Sequence, residues 1–306
     1  MKIVFMGTPE FAAESLKRLY NDGHDIVGVF TQADKPKNRG MKMSYSPVKE
    51  LALLHGTPVY QPLTLKDDKA AEVIKELKCD LVVVVAYGKI LPKEILEIPP
   101  LGCINIHGSI LPKYRGAAPI QHAIINGEIE TGVTSMYISE EMDAGDIIFI
   151  KKIDICDDET SADLFTKLSL SGAELLSETV SAIADKTAPR IPQSSSEVTY
   201  APLLTKETSP IDWTKNASEI KNLVRGLYPW PVATMELGGI VIKVFSVDIK
   251  NIFTGADPGN IVSHGPEGIE VACADGTVII KEVQAPNGKR MQASDYLRGK
   301  PIKKDG

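Results

Sequence analysis

The segment Lys2–Thr31, KIVFMGTPEFAAESLKRLYNDGHDIVGVFT, reads as strand, turn, helix and strand. Lys2–Met6 is apolar without alternation, as a strand covered on both faces requires. Gly7-Thr8-Pro9 interrupts it, with Thr8 expected as N-cap and Pro9 as the first helical residue. Phe11, Ala12, Ser15, Leu16 and Leu19 then recur on one helical face, and Asn21-Asp22-Gly23 stops the helix before a second strand at His24–Thr31. Such a β-turn-α-β unit builds a parallel sheet with right-handed crossovers. The turn holds one glycine rather than G-x-G-x-x-G, so a dinucleotide site is not indicated.

Further along, Asp80–Tyr87 (DLVVVVAY) is another strand buried on both faces, followed by the loop Gly88-Lys89-Ile90-Leu91-Pro92. Gly102–Ile106 is the next strand. Its end opens into Asn105–Ile120, NIHGSILPKYRGAAPI, where glycines and prolines forbid regular structure. Helices are expected over 46–55, 66–77, 117–126 and 160–184, and strands at Val59–Tyr60, Gly132–Tyr137 and Ile147–Ile155. The expected fold class is α/β: a Rossmann-like, mostly parallel sheet domain over residues 1–188. Residues 189–206, within a proline- and serine-rich stretch lacking hydrophobic periodicity, read as an extended linker. Residues 207–306 carry one helix and five short strands separated by Gly- and Asp-rich turns, the pattern of a small OB-like β-barrel domain.

The 306 residues are 43% hydrophobic and 24% charged, which is the balance of a globular protein with a sizeable core. The longest apolar run, Leu81–Tyr87, is too short to span a bilayer, and Lys2 leads straight into a strand rather than an export signal. A cytoplasmic location without membrane partners is therefore expected. Cys79, Cys103, Cys156 and Cys273 form no C-x-x-C pair, and the five histidines make no H-x-x-x-H, so no metal is expected.

The net charge of −6 argues against indiscriminate nucleic-acid binding. Two stretches run against it. Residues 32–46 hold Lys35, Lys37, Arg39 and Lys42 against Asp34, and residues 281–304 hold seven basic residues against Glu282 and Asp295. Both suit a polyanion held at defined places, and both read equally as solvated lysine-rich surface.

Asn105 and His107 lie two apart at a strand end, where period-two geometry lets both face the same way. An open α/β sheet places its ligand at such an edge. Asp143 lies in a later polar loop at the edge of the same sheet. A carboxylate near His107 would stabilise its imidazolium, and an amide donor and an imidazolium donor beside each other suit a developing oxyanion. Taken alone, the three read equally as a turn cap, a satisfied histidine and an Asx-turn acid. Ser109 is not in the G-x-S-x-G elbow of hydrolases. With no evident nucleophile, metal set or dinucleotide motif, direct acyl transfer between two bound substrates is favoured.

The run Asn105–Gly116, NIHGSILPKYRG, resembles the signature of the folate-dependent formyltransferases, and Asp143-Ala144-Gly145-Asp146 is similar to their catalytic aspartate loop. FMGTPEFAA from Phe5, FTQADKPKNRG from Phe30, SPVKELA from Ser46, VVVAYGKILP from Val83, IDW from Ile211 and LYPWPVA from Leu227 resemble the branch that acts on charged initiator tRNA. Ile110 departs from the usual leucine. The resemblance implies Asn105, His107 and Asp143 as catalytic residues. It implies 10-formyltetrahydrofolate as formyl donor, held along Gly88, Lys89, Ile90, Leu91, Ser109, Ile110, Leu111 and Pro112. It implies methionyl initiator tRNA as acceptor, met by Arg39 with Lys35, Lys37 and Lys42 beside it and by the basic C-terminal stretch. A monomer is the expectation. A formyltransferase acting on an amino-sugar nucleotide is the alternative. A glycinamide ribonucleotide transformylase would lack the second domain, and a non-catalytic RNA-binding protein would not need the three polar residues.

Overall fold

The central sheet is parallel because the chain returns through helices. Its strands, in chain order, are β1 (Lys2–Gly7), β2 (Asp25–Phe30), β5 (Val59–Tyr60), β6 (Leu81–Val85), β7 (Cys103–His107), β9 (Glu130–Tyr137) and β10 (Ile147–Asp154). They lie in the order β10-β9-β7-β6-β1-β2-β5, with only β9 and β10 antiparallel to their neighbours. The computed structural model describes residues 1–37, 42–250 and 252–299. Arg39, Lys300, Lys303 and Lys304 lie outside the described residues.

The uninterrupted apolar runs occupy the middle of this sheet. Ile3–Met6 of β1 and every residue of β6 are buried. Helix α1 (Glu10–Asn21) buries Phe11, Ala12, Leu16 and Leu19, at roughly 1.5–3 kcal/mol for each large side chain. This helix starts one residue later than expected. Pro9, extended at ψ −179°, is its N-cap, and no side chain caps it. The Thr8 hydroxyl instead accepts the Gln32 N–H at 3.4 Å and lies 3.5 Å from the Tyr87 carbonyl. Helix α2 (Pro47–Leu54) follows its sequence signals, since Ser46 caps it through the Lys49 N–H and Pro47 opens it. Helices α3 (Asp68–Leu77) and α4 (Lys93–Leu96) complete the crossovers between parallel strands, while α5 (Pro119–Ile125) precedes β9 and α6 (Ser161–Ala184) follows β10.

Two stretches without periodicity carry short pairings. Within residues 32–46, β3 (Lys35–Lys37) and β4 (Lys42–Ser44) form an antiparallel ribbon. Lys35, Lys37 and Lys42 therefore lie on its strands. Within the expected linker, Ile191 exchanges backbone hydrogen bonds with Ile147 at 2.8 and 3.0 Å. There too β11 (Tyr200–Ala201) runs parallel to β8 (Arg115–Gly116). Residues 189–201 are thus part of the first compact unit rather than a free connection. That unit comprises 1–119, 130–154 and 165–201; the second comprises 120–129, 155–164 and 202–306. Runs of one to three paired residues satisfy backbone groups without leaving a hydrophobic period to read.

In the second unit, helix α7 (Ala217–Gly226) starts at a capping box made by Asn216 and Glu219. The strands β12 (Ala233–Leu237), β13 (Ile240–Ile249), β14 (Ile261–Gly265), β15 (Gly268–Ala272) and β16 (Thr277–Gln284) form an antiparallel sheet in the order β12-β13-β16-β15-β14. The short β17 (Met291–Gln292) pairs with β16 and leads into helix α8 (Ala293–Gly299). Among the described residues no ladder joins β14 to β12. The sheet buries Ile242, Val244, Ile269, Val271, Val278, Ile280 and Val283. Glu270 is a buried carboxylate among them; it accepts from Ser263 at 2.7 Å, from the equally buried Thr277 at 2.8 Å and from Lys250 at 3.1 Å. The basic C-terminal stretch is partly neutralised in place, because Lys281 pairs with Asp248, Arg290 with Glu282 and Arg298 with Asp295. Among the described residues, no helix is long and apolar enough to cross a membrane.

Candidate active site

Strand β7 is interior, parallel to β6 on one side and antiparallel to β9 on the other. The registers Gly7↔Val85 and Val84↔Asn105 bring the carboxyl ends of β1, β6 and β7 to one edge. The chain departs from β1 to β2 on one side and later lays β6 on the other. The edge is therefore a topological switch point, where open α/β sheets bind ligands.

At this edge His107 is 6% exposed, with Nε2 2.9 Å from the Tyr114 carbonyl oxygen. A carbonyl only accepts, so Nε2 carries the proton and Nδ1 of the neutral ring is an acceptor. Nδ1 faces the Asp143 carboxylate at 3.8 Å, beyond hydrogen-bond range. The ring is therefore fixed by a backbone carbonyl rather than by the carboxylate. Tyr114 is held in turn, at φ +62°, through its N–H to Thr199 Oγ1 at 2.9 Å. Asn105 is half-buried, and its carboxamide has no hydrogen bond to any described residue.

Asp143 is set by its surroundings. Its backbone is in the left-handed region at φ +53°, which an aspartate adopts at a cost. Its Oδ2 accepts the Gly116 N–H at 2.8 Å. Gln193 Nε2 donates to the carbonyls of Asp143 and Gly145, both at 2.8 Å. Gln193 Oε1 accepts from the buried Arg115 guanidinium at 2.8 and 3.1 Å. Gly145 has no room for a side chain, since a Cβ there would lie 1.8 Å from the Tyr137 carbonyl oxygen. Thr199, Gln193, Arg115 and the Tyr114 carbonyl were not identified by sequence reasoning. Arg115 stood in the quoted signature, but Gln193 and Thr199 lie in the stretch read as linker and carried no signal.

The residues expected around the folate divide by burial. Leu91 packs in the core with Tyr87 and Ile95, and Leu111 with Met136 and Ile147. Both shape their loops from below. Ile90 is 77% exposed, Ile110 and Pro112 are half-buried, and these are the apolar surfaces free to meet a flat ring. Ser109 is buried, and its Oγ donates to the Lys113 carbonyl at 2.6 Å. Thr134 bridges this loop, accepting the Leu111 N–H at 3.1 Å and donating to the Ser109 carbonyl at 2.6 Å. Gly88 has φ +76°, and Lys89 Nζ donates to the Pro62 and Leu63 carbonyls. Among the described residues no cluster of His, Cys, Asp and Glu is placed to hold a metal ion.

Residues 1–180 match the sequence profile of the formyl transferase family, and residues 203–301 match that of the formyl transferase C-terminal domain. A methionyl-tRNA formyltransferase of Clostridioides difficile strain 630 is 47% identical over 302 residues, covering 99% of this chain and 98% of its own. That of Alkaliphilus oremlandii is 49% identical over 304 residues, with coverage of 99% and 98%. Among solved structures, an N-formyltransferase from Helicobacter canadensis in complex with folinic acid and dTDP-3-aminofucose has a TM-score of 0.68. It is 19% identical, with 95% of this chain and 100% of that chain covered, and so shares the fold. Sequence identity near one half along the whole length, together with both matched domains, places this chain in the methionyl-tRNA formyltransferase family.

Proposed function

We propose that the chain transfers the formyl group of 10-formyltetrahydrofolate to the α-amine of methionyl initiator tRNA, with Asn105, His107 and Asp143 as its catalytic residues. A free α-amino group has a pKa of about 7.7–8.0, so the neutral nucleophile is present near neutral pH. As it attacks, the new C–N bond forms and the formyl oxygen gains charge, which the Asn105 amide stabilises as a hydrogen-bond donor. Nδ1 of His107 takes the proton the amine loses. The Asp143 carboxylate, 3.8 Å away, stabilises the imidazolium so formed. The imidazolium returns this proton to N10 as the C–N10 bond breaks, and tetrahydrofolate leaves as the neutral amine.

The observation that carries this reading is the His107 ring, with one nitrogen committed to the Tyr114 carbonyl and the other turned to Asp143. The folate lies along Gly88–Leu91 and Ser109–Pro112. The acceptor tRNA is met by the ribbon bearing Lys35, Lys37 and Lys42 and by Arg39, which lies outside the described residues. The protein acts as a monomer in the cytoplasm. The domain assignment is catalytic over 1–188 and tRNA-binding over 207–306, with 189–201 completing the first.

The deciding assay supplies 10-formyltetrahydrofolate with charged initiator tRNA, charged elongator tRNA or an amino-sugar nucleotide. Formylation of the sugar in preference to either tRNA would reverse the assignment. His107→Ala is expected to lower turnover about 10²–10³-fold, the usual loss for one such group. Turnover near wild type would remove His107 from the catalytic set.

A further inference from the structure

One polar network in the first unit has no part in the chemistry above. Gln32, just past β2, donates from Nε2 to the Tyr87 carbonyl at 3.0 Å, at the start of the loop expected to hold folate. The Gln32 carbonyl accepts from Gln61 Nε2 at 2.8 Å. Gln61 also donates to Asp34 Oδ1 at 2.9 Å and accepts from Lys49 Nζ at 2.9 Å. Lys49 closes the ring on Asp34 Oδ2 at 2.5 Å, with 13% and 17% of the two side chains exposed. The Lys49 hydrogen bond, then that of Gln61, holds the Asp34 carboxyl below its ordinary range.

The placement of these groups gives the network its meaning. Asp34 immediately precedes β3. Lys49 lies 4.0 Å from the centre of the Tyr45 ring, and Tyr45 immediately follows β4. Both feet of the basic ribbon therefore meet Lys49, one through an ion pair and the other through a cation–π contact. The loop after β6 is bound to the same assembly twice, through Gln32 and through Lys89 on the carbonyls of Pro62 and Leu63. The fit is close: a Cβ on Gly88 would lie 2.6 Å from Gln32 Nε2. A shift of the folate loop thus reaches the ribbon's feet through two short side chains.

We infer that Gln32 and Gln61 are positioning residues that couple occupancy of the folate loop to placement of the tRNA-facing ribbon. The inference rests on the folate and tRNA assignments above. Donor binding at Gly88–Leu91 steadies the Tyr87 carbonyl, and the network transmits that order to β3 and β4. Reciprocity requires that a held ribbon raise folate affinity by the same factor.

Amide hydrogen exchange of Lys35, Lys37 and residues 42–44, with and without folinic acid, tests this directly. In the wild-type protein, folinic acid is expected to slow exchange there by about threefold to tenfold, the scale of one shared hydrogen bond. Gln32→Met and Gln61→Met keep side-chain length and remove the donors; in each, that slowing disappears. Gln61 does not touch the folate loop, so Gln61→Met is expected to weaken folinic acid binding by no more than the coupling factor itself, about threefold to tenfold, while KM for tRNA rises. A merely structural role would leave the folate-dependent protection intact in the folded variants. Folate binding without any effect on ribbon exchange, or protection that survives both substitutions, overturns the coupling alone. Failure of the wild-type protein to bind folinic acid overturns the proposed function and the coupling with it.

Discussion

Gly145→Ala adds one methyl group at a buried position. Its Cβ would lie 1.8 Å from the Tyr137 carbonyl oxygen and 2.8 Å from the carbonyl carbon. A carbon–oxygen contact without strain begins at about 3.3 Å, so loop and strand must part by about 1.5 Å. Tyr137 is the last residue of β9, an interior strand, whereas Gly145 belongs to the loop carrying Asp143, so the loop gives way. A movement of that size exceeds what the 2.8 Å bond from Gly116 N–H to Asp143 and the two 2.8 Å bonds from Gln193 can absorb. Misplacement of a catalytic group by about 1 Å costs about 10²-fold in rate. Overpacking of this kind costs about 1–3 kcal/mol of stability. The assay is steady-state formylation of charged initiator tRNA at saturating donor, with thermal unfolding of each variant in parallel. Because the effect runs through Asp143, the double variant Gly145→Ala/Asp143→Asn should be little slower than Asp143→Asn alone. A folded Gly145→Ala protein with kcat within threefold of wild type would refute the reasoning, as would full additivity in the double variant.

Thr134→Val removes a buried hydroxyl that serves both the Leu111 N–H and the Ser109 carbonyl. It should cost about 1–3 kcal/mol in chemical unfolding and raise KM for the folate donor more than for tRNA. Glu270→Gln tests the buried carboxylate of the second unit, which the Ser263 hydrogen bond, with Thr277 and Lys250, holds below the ordinary range. A depressed folded pKa stabilises above the ordinary value near 4.5 and is lost as pH falls through the folded one. The variant should thus lose about 2 kcal/mol at pH 7, and its deficit should shrink on acidification, as followed by unfolding of the isolated transition at each pH.

The parts legible in the sequence were those with a long-range pattern. The unbroken apolar run at Leu81–Val85 and the 3.6-period of Phe11, Leu16 and Leu19 fixed strand and helix because burial forces both patterns. Asn105 and His107 were visible through their place at a strand end, and Asp143 through its loop. What could not be read is how these groups are held. The Tyr114 carbonyl that orients His107 is a backbone group and leaves no mark on residue type. Gln193 and Thr199 act across 50 and 85 positions from a stretch with no period. The β3–β4 ribbon has three residues a side and a proline among lysines, too short and polar for alternation to show. The expected folate contacts Leu91 and Leu111 carried an ambiguity in sequence, since apolar loop residues serve a core as readily as a ligand, and both pack in core clusters.

The pairing of β8 with β11 also bears on when the protein becomes competent during its synthesis. All three proposed catalytic residues have been made by residue 143, yet their fastenings arrive later: Ile191 against Ile147, Gln193 on the Asp143 loop, Thr199 on Tyr114, and Ala201 beside Gly116. At roughly 5–20 residues per second, the emerging chain spends several seconds with its chemistry present and unsecured. A fragment ended at residue 188 would stay in that state permanently. The fastening of the site waits on the arrival of residues 191–201, with Gln193 following Asp143 by 50 residues.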